Sequence, residues 1–293
     1  MPALDSGQIV LVAITLFAAF VNGALGYGFS SLTIPVALIF YTNRLLNPAL
    51  VLLEVFINLY VLFMNRDSVP AVWKQVYPIL IGLLPGIAIG SYLLASLHPG
   101  WIKVVTYTVL LPLILIQAAG LRRPIRSEKA LGVPFGTGLG FLYSVTTVSG
   151  PPLAILFNNQ GLVKKKFRAG LGLIRLAESS LTAIVYYHLG LFTGESQGIF
   201  WTIVPSAIVG MSLGAYIIRR LDAETFRRIC MSFDAWVVGF GLSRVLLELK
   251  LMESPWAYSV LLLAIVVDCY LLYGFFAARR PVPRAVEPSG LSP

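Results

Sequence analysis

The feature that most constrains this chain is a succession of apolar runs, most of them the length of a membrane crossing. From Gly7 to Leu25 it reads GQIVLVAITLFAAFVNGAL without a charge, and further runs occupy 29–41, 45–64, 75–96, 101–119, 130–147, 150–158, 169–188, 199–218, 229–248 and 256–277. About 20 helical residues at ~1.5 Å each cross the ~30 Å hydrocarbon core of a bilayer. Only a segment that pairs its own backbone groups can do so, which dictates an all-α polytopic membrane bundle. The composition agrees: 57% of the 293 residues are hydrophobic, 12% are charged, and the mean hydropathy is +0.83. The net charge of +9 is no nucleic-acid footprint, because the lysines and arginines are scattered through short loops between runs. The leading MPALDS carries an acid and no base, unlike a cleavable signal peptide. Cys230 and Cys269 lie inside apolar runs, and His98 and His188 stand far apart, so neither a disulfide, a metal site nor a cofactor is expected.

Two runs are too short to cross. Segments 29–41 and 150–158 would measure ~20 Å and ~14 Å as helices. Each is joined to its predecessor by polar, glycine-containing sequence, GYGFSSLT from Gly26 and TTVSGPP from Thr146. Each pair is therefore expected to form a hairpin that enters the membrane and returns on the same side. Basic loops, which stay in the cytoplasm, test this expectation. With both hairpins returning, seventeen of the 22 lysines and arginines fall on one side, and Arg44, Lys103 and Lys250 on the other. Only Arg175 and Arg244 remain inside spans. This topology puts the N-terminus outside and the C-terminus in the cytoplasm.

The chain also matches itself. An offset of 124 aligns 44–105 with 168–229 without a gap and pairs Arg44 with Arg168, Glu54 with Glu178, Gly86 with Gly210, Gly90 with Gly214 and Tyr92 with Tyr216. Upstream, PVALIF from Pro35 matches PLAILF from Pro152 at an offset of 117, which places an insertion near NNQGLVKKKF. The loop after GSYLLASL falls outside and the loop after GAYIIRRL inside, so the copies are inverted. The expected organisation is a first repeat over 1–120, a cytoplasmic linker at 121–129, a second repeat over 130–250, an extra C-terminal transmembrane helix at 251–278 and a disordered cytoplasmic tail at 279–293. Each repeat is a broken hairpin plus three spans. Inverted repeats with discontinuous segments in matching positions frame the binding site of alternating-access carriers.

After each break a short helix restarts with its N-terminus toward the membrane middle, bearing unpaired N–H groups and about half a positive charge. Two such ends converging make an anion site. The expected substrate-binding residues are Asn22, Gly26, Tyr27, Gly28, Ser30 and Ser31 in the first break, and Thr146, Thr147, Ser149 and Gly150 in the second, where Pro151 takes the first helical position. The alternative is that the glycines only permit close packing and the serines only cap helices. Arg175 lies within a span with Val51 at its symmetric position, and is expected to receive substrate charge or to pair with Glu178 three residues on. The symmetric Glu54 and Glu178 are candidates for proton coupling. Asp234 and Asp268 read as packing-pair carboxylates, and Trp73, Trp101, Trp201 and Trp256 as interfacial anchors.

The paired segments GYGFSSLTIPVALIF and TVSGPPLAILF, with the later GIAIGSYLLASLHPGWIK and GMSLGAYIIRRLDAETFRR, resemble the TauE/SafE family of sulfite and organosulfonate exporters over roughly residues 8–248. The resemblance implies an anion permease of the bacterial inner membrane for sulfite, sulfoacetate, related sulfur oxyanions or small carboxylates, with the lipid bilayer and the substrate as its partners. Two other readings compete. One is a carrier of an amine or other non-anionic metabolite, as in ten-helix drug and metabolite transporters. The other is an intramembrane serine hydrolase using Ser149 and His188, which places His188 at the outer end of its span and Ser149 near mid-depth, too far apart for a dyad.

Overall fold

The structure, a computed structural model, describes residues 6–26, 28–119, 128–159, 162, 164–217 and 223–278. Most of the expected linker, the whole expected tail and Tyr27 lie outside these residues. Among the described residues there is no strand. The chain forms α1 (Ser6–Leu25), α2 (Phe29–Ala37), α3 (Asn43–Met64), α4 (Val69–Ser96), α5 (Pro99–Ala118), α6 (Glu128–Thr146), α7 (Gly150–Asn159), α8 (Lys164–His188), α9 (Gly194–Ile217), α10 (Ala223–Glu248) and α11 (Ser259–Ala278). Every apolar run became a helix. Most begin before the run does, because the first turn or two of a membrane helix can be polar where it meets water. Among the described residues seven helices, namely α1, α3, α4, α5, α9, α10 and α11, are long and apolar enough to cross a membrane. The 25 residues of α8 have the length, but they carry Lys165, Lys166, Arg168, Arg175 and Glu178.

The packing partners follow a single exchange rule. α1 packs on α9 as α6 packs on α4; α3 meets α9 as α8 meets α4; α2 lies on α10 as α7 lies on α5; and α3 crosses α8 at the centre. Exchanging α1–α5 for α6–α10 reproduces each of these contacts. The recurring glycines explain why. Gly86 and Gly90 of α4 abut the backbone of α6 at Thr137 and Phe141, while Gly210 and Gly214 of α9 abut that of α1 at Leu16 and Phe20. Lipid supplies no hydrophobic drive between helices, so small residues that let backbones approach provide the attraction through van der Waals contact.

The halves differ at their chain breaks, and only the first pair packs as the expected hairpin. α2 folds back along α1, whereas α7 departs from α6 to pack on α5 and α8. The space between is an apolar groove of about 350 Å³ walled by Val109, Leu113, Phe141, Thr146 and Pro152.

α11 packs on α10 and α5 at the margin and exposes Leu262, Leu263, Val266, Tyr270 and Tyr273, as a lipid-facing helix does. Buried polar contacts to Asp268 fasten it. Arg228, assigned to a cytoplasmic loop by its position in the sequence, is buried, because α10 begins at Ala223 and carries it into the bundle. Its Nη2 lies 3.0 Å from Asp268 Oδ1 of α11, and Trp236 Nε1 donates to Asp268 Oδ2 at 3.1 Å. Asp268 is thus a packing-pair carboxylate, while Asp234 Oδ1 is buried without a hydrogen-bond partner. The four tryptophans expected at the interfaces are all exposed.

Two glycines of α9 separate close packing from helix propensity. A Cβ at Gly214 would occupy the space of Phe20 O, whereas at Gly198 it would meet nothing within 4 Å. Gly214→Ala is expected to destabilise the purified protein by about 1–3 kcal/mol, the usual cost of overpacking. Gly198→Ala, removing an exposed helical glycine, should leave its melting temperature unchanged or raise it slightly. Equal melting temperatures for the two variants would show that the α1–α9 contact is loose.

Candidate functional site

Both chain breaks require unusual backbone, and each achieves it differently. In the first, Gly26 (φ 86°) and Gly28 (φ 106°) take the left-handed conformation that a Cβ disfavours. In the second, Thr147 takes it (φ 54°), a strained choice for a β-branched residue. Its hydroxyl donates to Thr146 O at 2.8 Å, and Val148 N donates to Thr146 Oγ1 at 3.1 Å, so both threonines serve the turn itself.

A helix end buried within a bundle must find partners for its last carbonyls. Side chains from elsewhere supply these. Val145 O near the end of α6 accepts from Asn47 Nδ2 at 2.7 Å and from Asn43 Nδ2 at 3.4 Å, and Ser144 O accepts from the Tyr186 hydroxyl. At the end of α2, Ile34, Val36 and Ala37 bond to following amides, and the remaining Pro35 O accepts from Tyr107 OH at 2.9 Å. At the end of α1, Ala24 O accepts from Arg168 Nη2 at 3.4 Å.

The starts of the half-helices are arranged differently from the sequence expectation. Gly150 is the first residue of α7, so Pro151 and Pro152 take its second and third positions and leave Gly150 with the only N–H of the three. No side chain caps α2, and Ser31 Oγ donates to the nearby Gly28 O at 3.2 Å. The other two serines do not cap their helices. Ser30 Oγ donates to Glu54 Oε1, and Ser149 Oγ donates to Glu178 Oε2 at 2.6 Å. At the helix starts where the sequence leads one to expect an anion, the serines instead engage the protein's own carboxylates.

These two contacts belong to one buried cluster at the crossing of α3 and α8. Arg175 Nη2 donates to Glu54 Oε1 at 2.7 Å, and Tyr143 OH of α6 donates to Glu54 Oε2 at 2.6 Å. Arg175 therefore pairs across the halves with Glu54 rather than along its own helix with Glu178. Glu54, Glu178, Ser149 and Tyr143 are wholly inaccessible, and Arg175 is 3% exposed. Some capacity is unfilled: Glu178 Oε1, Arg175 Nε and both amide atoms of Asn22 have no hydrogen-bond partner.

Of the expected site residues, Ser30, Ser149, Glu54, Glu178 and Arg175 come together. Gly26, Gly28, Gly150, Ser31, Thr146 and Thr147 build the turns, and Asn22 lies apart in the wall of a cavity. Tyr143 and the asparagines Asn43 and Asn47 escaped the sequence reading. Their one signal was polar character inside or just before an apolar run. Ser149 and His188 do not meet: Ser149 is committed to Glu178, and the exposed His188 stands ten residues further along α8, ~15 Å away along its axis.

No curated protein and no solved structure matches the chain. A family model does, and its match runs from early in α1 into α10, leaving α11 outside. With seven helices able to cross a membrane, the protein is a multi-pass membrane transporter, and it belongs to the sulfite exporter TauE/SafE family, whose model covers residues 11–240.

Proposed function

We propose that the protein is a secondary-active carrier of a small anion, a sulfite, organosulfonate or related oxyanion or carboxylate, working by alternating access with proton coupling. The observation that carries this reading is the buried Arg175–Glu54 pair, at 2.7 Å, held by donors from both chain breaks' neighbourhoods. An intramembrane arginine is costly and needs an anionic partner at all times. In the closed state that partner is Glu54. A substrate anion reaches the guanidinium by displacing the carboxylate.

Charge balance then supplies the coupling. An ionised Glu54 left unpaired in a dry site costs several kcal/mol, so its displacement favours uptake of a proton. Anion and proton enter together, and the local charge is unchanged. Glu178 repeats the carboxylate and serine pairing on the second half, which supports a cycle in which the hairpins move against the α3–α8 crossing. The exchange rule of the helix contacts supports two inverted repeats rocking about that crossing. The basic loops support a cytoplasmic C-terminus and an outer N-terminus, in a bacterial inner membrane.

Counterflow in proteoliposomes with labelled sulfite, alkylsulfonates, carboxylates and an amine panel tests the substrate class. Exchange of an anion, accelerated when the loading side is made acidic, is expected. Exchange of an amine alone would overturn the reading. Glu54→Gln removes the competing charge and the proton site together. It should retain counterflow while losing accumulation driven by a pH gradient. Arg175→Ala should reduce anion exchange by at least about a hundredfold, the loss expected from removing a charge-assisted buried contact. Full activity in a folded Arg175→Ala variant would remove the arginine from the substrate path.

A further inference from the structure

Arg168 and Arg175 occupy the same face of α8, seven residues and two turns apart, ~10.5 Å along the axis. Arg175 is paired, but Arg168 is not: among the described residues no carboxylate faces it, and its guanidinium makes one long hydrogen bond, 3.4 Å to Ala24 O. Its counterpart Arg44 is fully engaged, donating to Leu94 O at 2.8 Å and to Ala95 O and Leu97 O at 2.6 Å. The guanidinium also lies over the first chain break, where a Cβ at Gly26 would stand 3.4 Å from Arg168 Nε.

Arg168 forms part of the wall of a cavity of about 560 Å³ between α1, α3 and α9. The cavity runs from Asn22 and Gly26 to exposed Met64 at the end of α3, and its sides are mostly apolar, with Phe56, Ile57 and Met211 among them. Asn22 is the second independent sign of a ligand. It is 1% exposed, borders this cavity, and neither its Oδ1 nor its Nδ2 has a hydrogen-bond partner. A buried amide left with two unmet groups costs more than an apolar residue of its size would. Here the amide stands at the same end of the cavity as Arg168, an exposed cation with no carboxylate partner among the described residues, within a wall that is mostly apolar apart from Tyr60, Asn65 and Ser212.

We propose that this cavity is an entry site for an amphipathic organic anion, whose sulfonate or carboxylate head rests on Arg168 and Asn22 while its apolar body lies against Phe56, Ile57 and Met211. The proposal rests on the carrier reading and narrows it: the apolar sides favour alkylsulfonates and short-chain carboxylates over bare sulfite. Arg168 collects the head group at the end of the bundle where α3 closes and α8 opens, and Arg175 takes it two turns further in, where Glu54 gives way. A lipid head group shares the anionic chemistry, and the test separates it from a free anion.

Thermal melting of the purified full chain in an uncharged detergent is titrated with butanesulfonate, sulfite and, separately, phosphatidylglycerol. Butanesulfonate should stabilise the wild type at lower concentration than sulfite. Arg168→Gln and Asn22→Ala should each raise its half-saturation by at least about tenfold, with Arg168→Lys intermediate. In counterflow, Arg168→Gln should raise KM by a similar factor and leave the maximal rate unchanged, unlike substitution of Arg175. Unchanged half-saturation in both Arg168→Gln and Asn22→Ala overturns the entry site, as does stabilisation by phosphatidylglycerol with none by butanesulfonate. If the wild type binds butanesulfonate through Arg168 yet exchanges no anion, the entry site stands as a binding site and the carrier reading falls.

Discussion

The ion pair between Arg175 of α8 and Glu54 of α3 ties the two halves together at their centre. It lies where the central helices of the two halves cross, and neither charge reaches solvent. Burying such a pair gains little net stability, because desolvation offsets most of the attraction, whereas losing one partner leaves a stranded charge. The pair is therefore best understood as a constraint on which states the protein can adopt. Any movement that separated α3 from α8 would strand both charges in a dry site unless other partners replaced them.

The chain breaks are tied to that constraint through serines. Ser30 at the start of α2 holds Glu54, and Ser149 just before α7 holds Glu178. Each break bears two kinds of obligation: its last carbonyls are closed by side chains from neighbouring helices, and its first hydroxyl is engaged by a glutamate. A hairpin that shifts must exchange these partners. At the second break α7 lies away from α6 with an apolar groove between them, so the two halves do not hold identical conformations.

Much of this was legible in the sequence where one residue type carries one physical meaning. Uncharged runs could only be helices, and the two short ones were recognisable by length. Gly86, Gly90, Gly210 and Gly214 recurred at matching positions because close backbone contact excludes every larger side chain, and they lie at equivalent contacts in the structure. Charges were harder, since a charge states a need without naming its partner. Arg175 and Glu178 are three residues apart and would have paired on an isolated helix, but the crossing with α3 offers Glu54 instead. Arg228 read as a loop residue because the helix start was invisible to hydropathy. Ser30 and Ser149 read as caps because carboxylates distant in sequence had no visible reason to approach them, and Tyr143 looked like any aromatic residue near a helix end.

If substrate competes with Glu54 for Arg175, anion binding is accompanied by proton uptake. Purified protein is titrated with butanesulfonate by calorimetry in buffers of different ionisation enthalpy, which yields the protons taken up per anion bound. Competition predicts uptake of about one proton per anion at neutral pH, abolished in Glu54→Gln, because the displaced carboxylate is neutralised in a dry site. Anion binding with no proton uptake in the wild type, or uptake unchanged in Glu54→Gln, would contradict it.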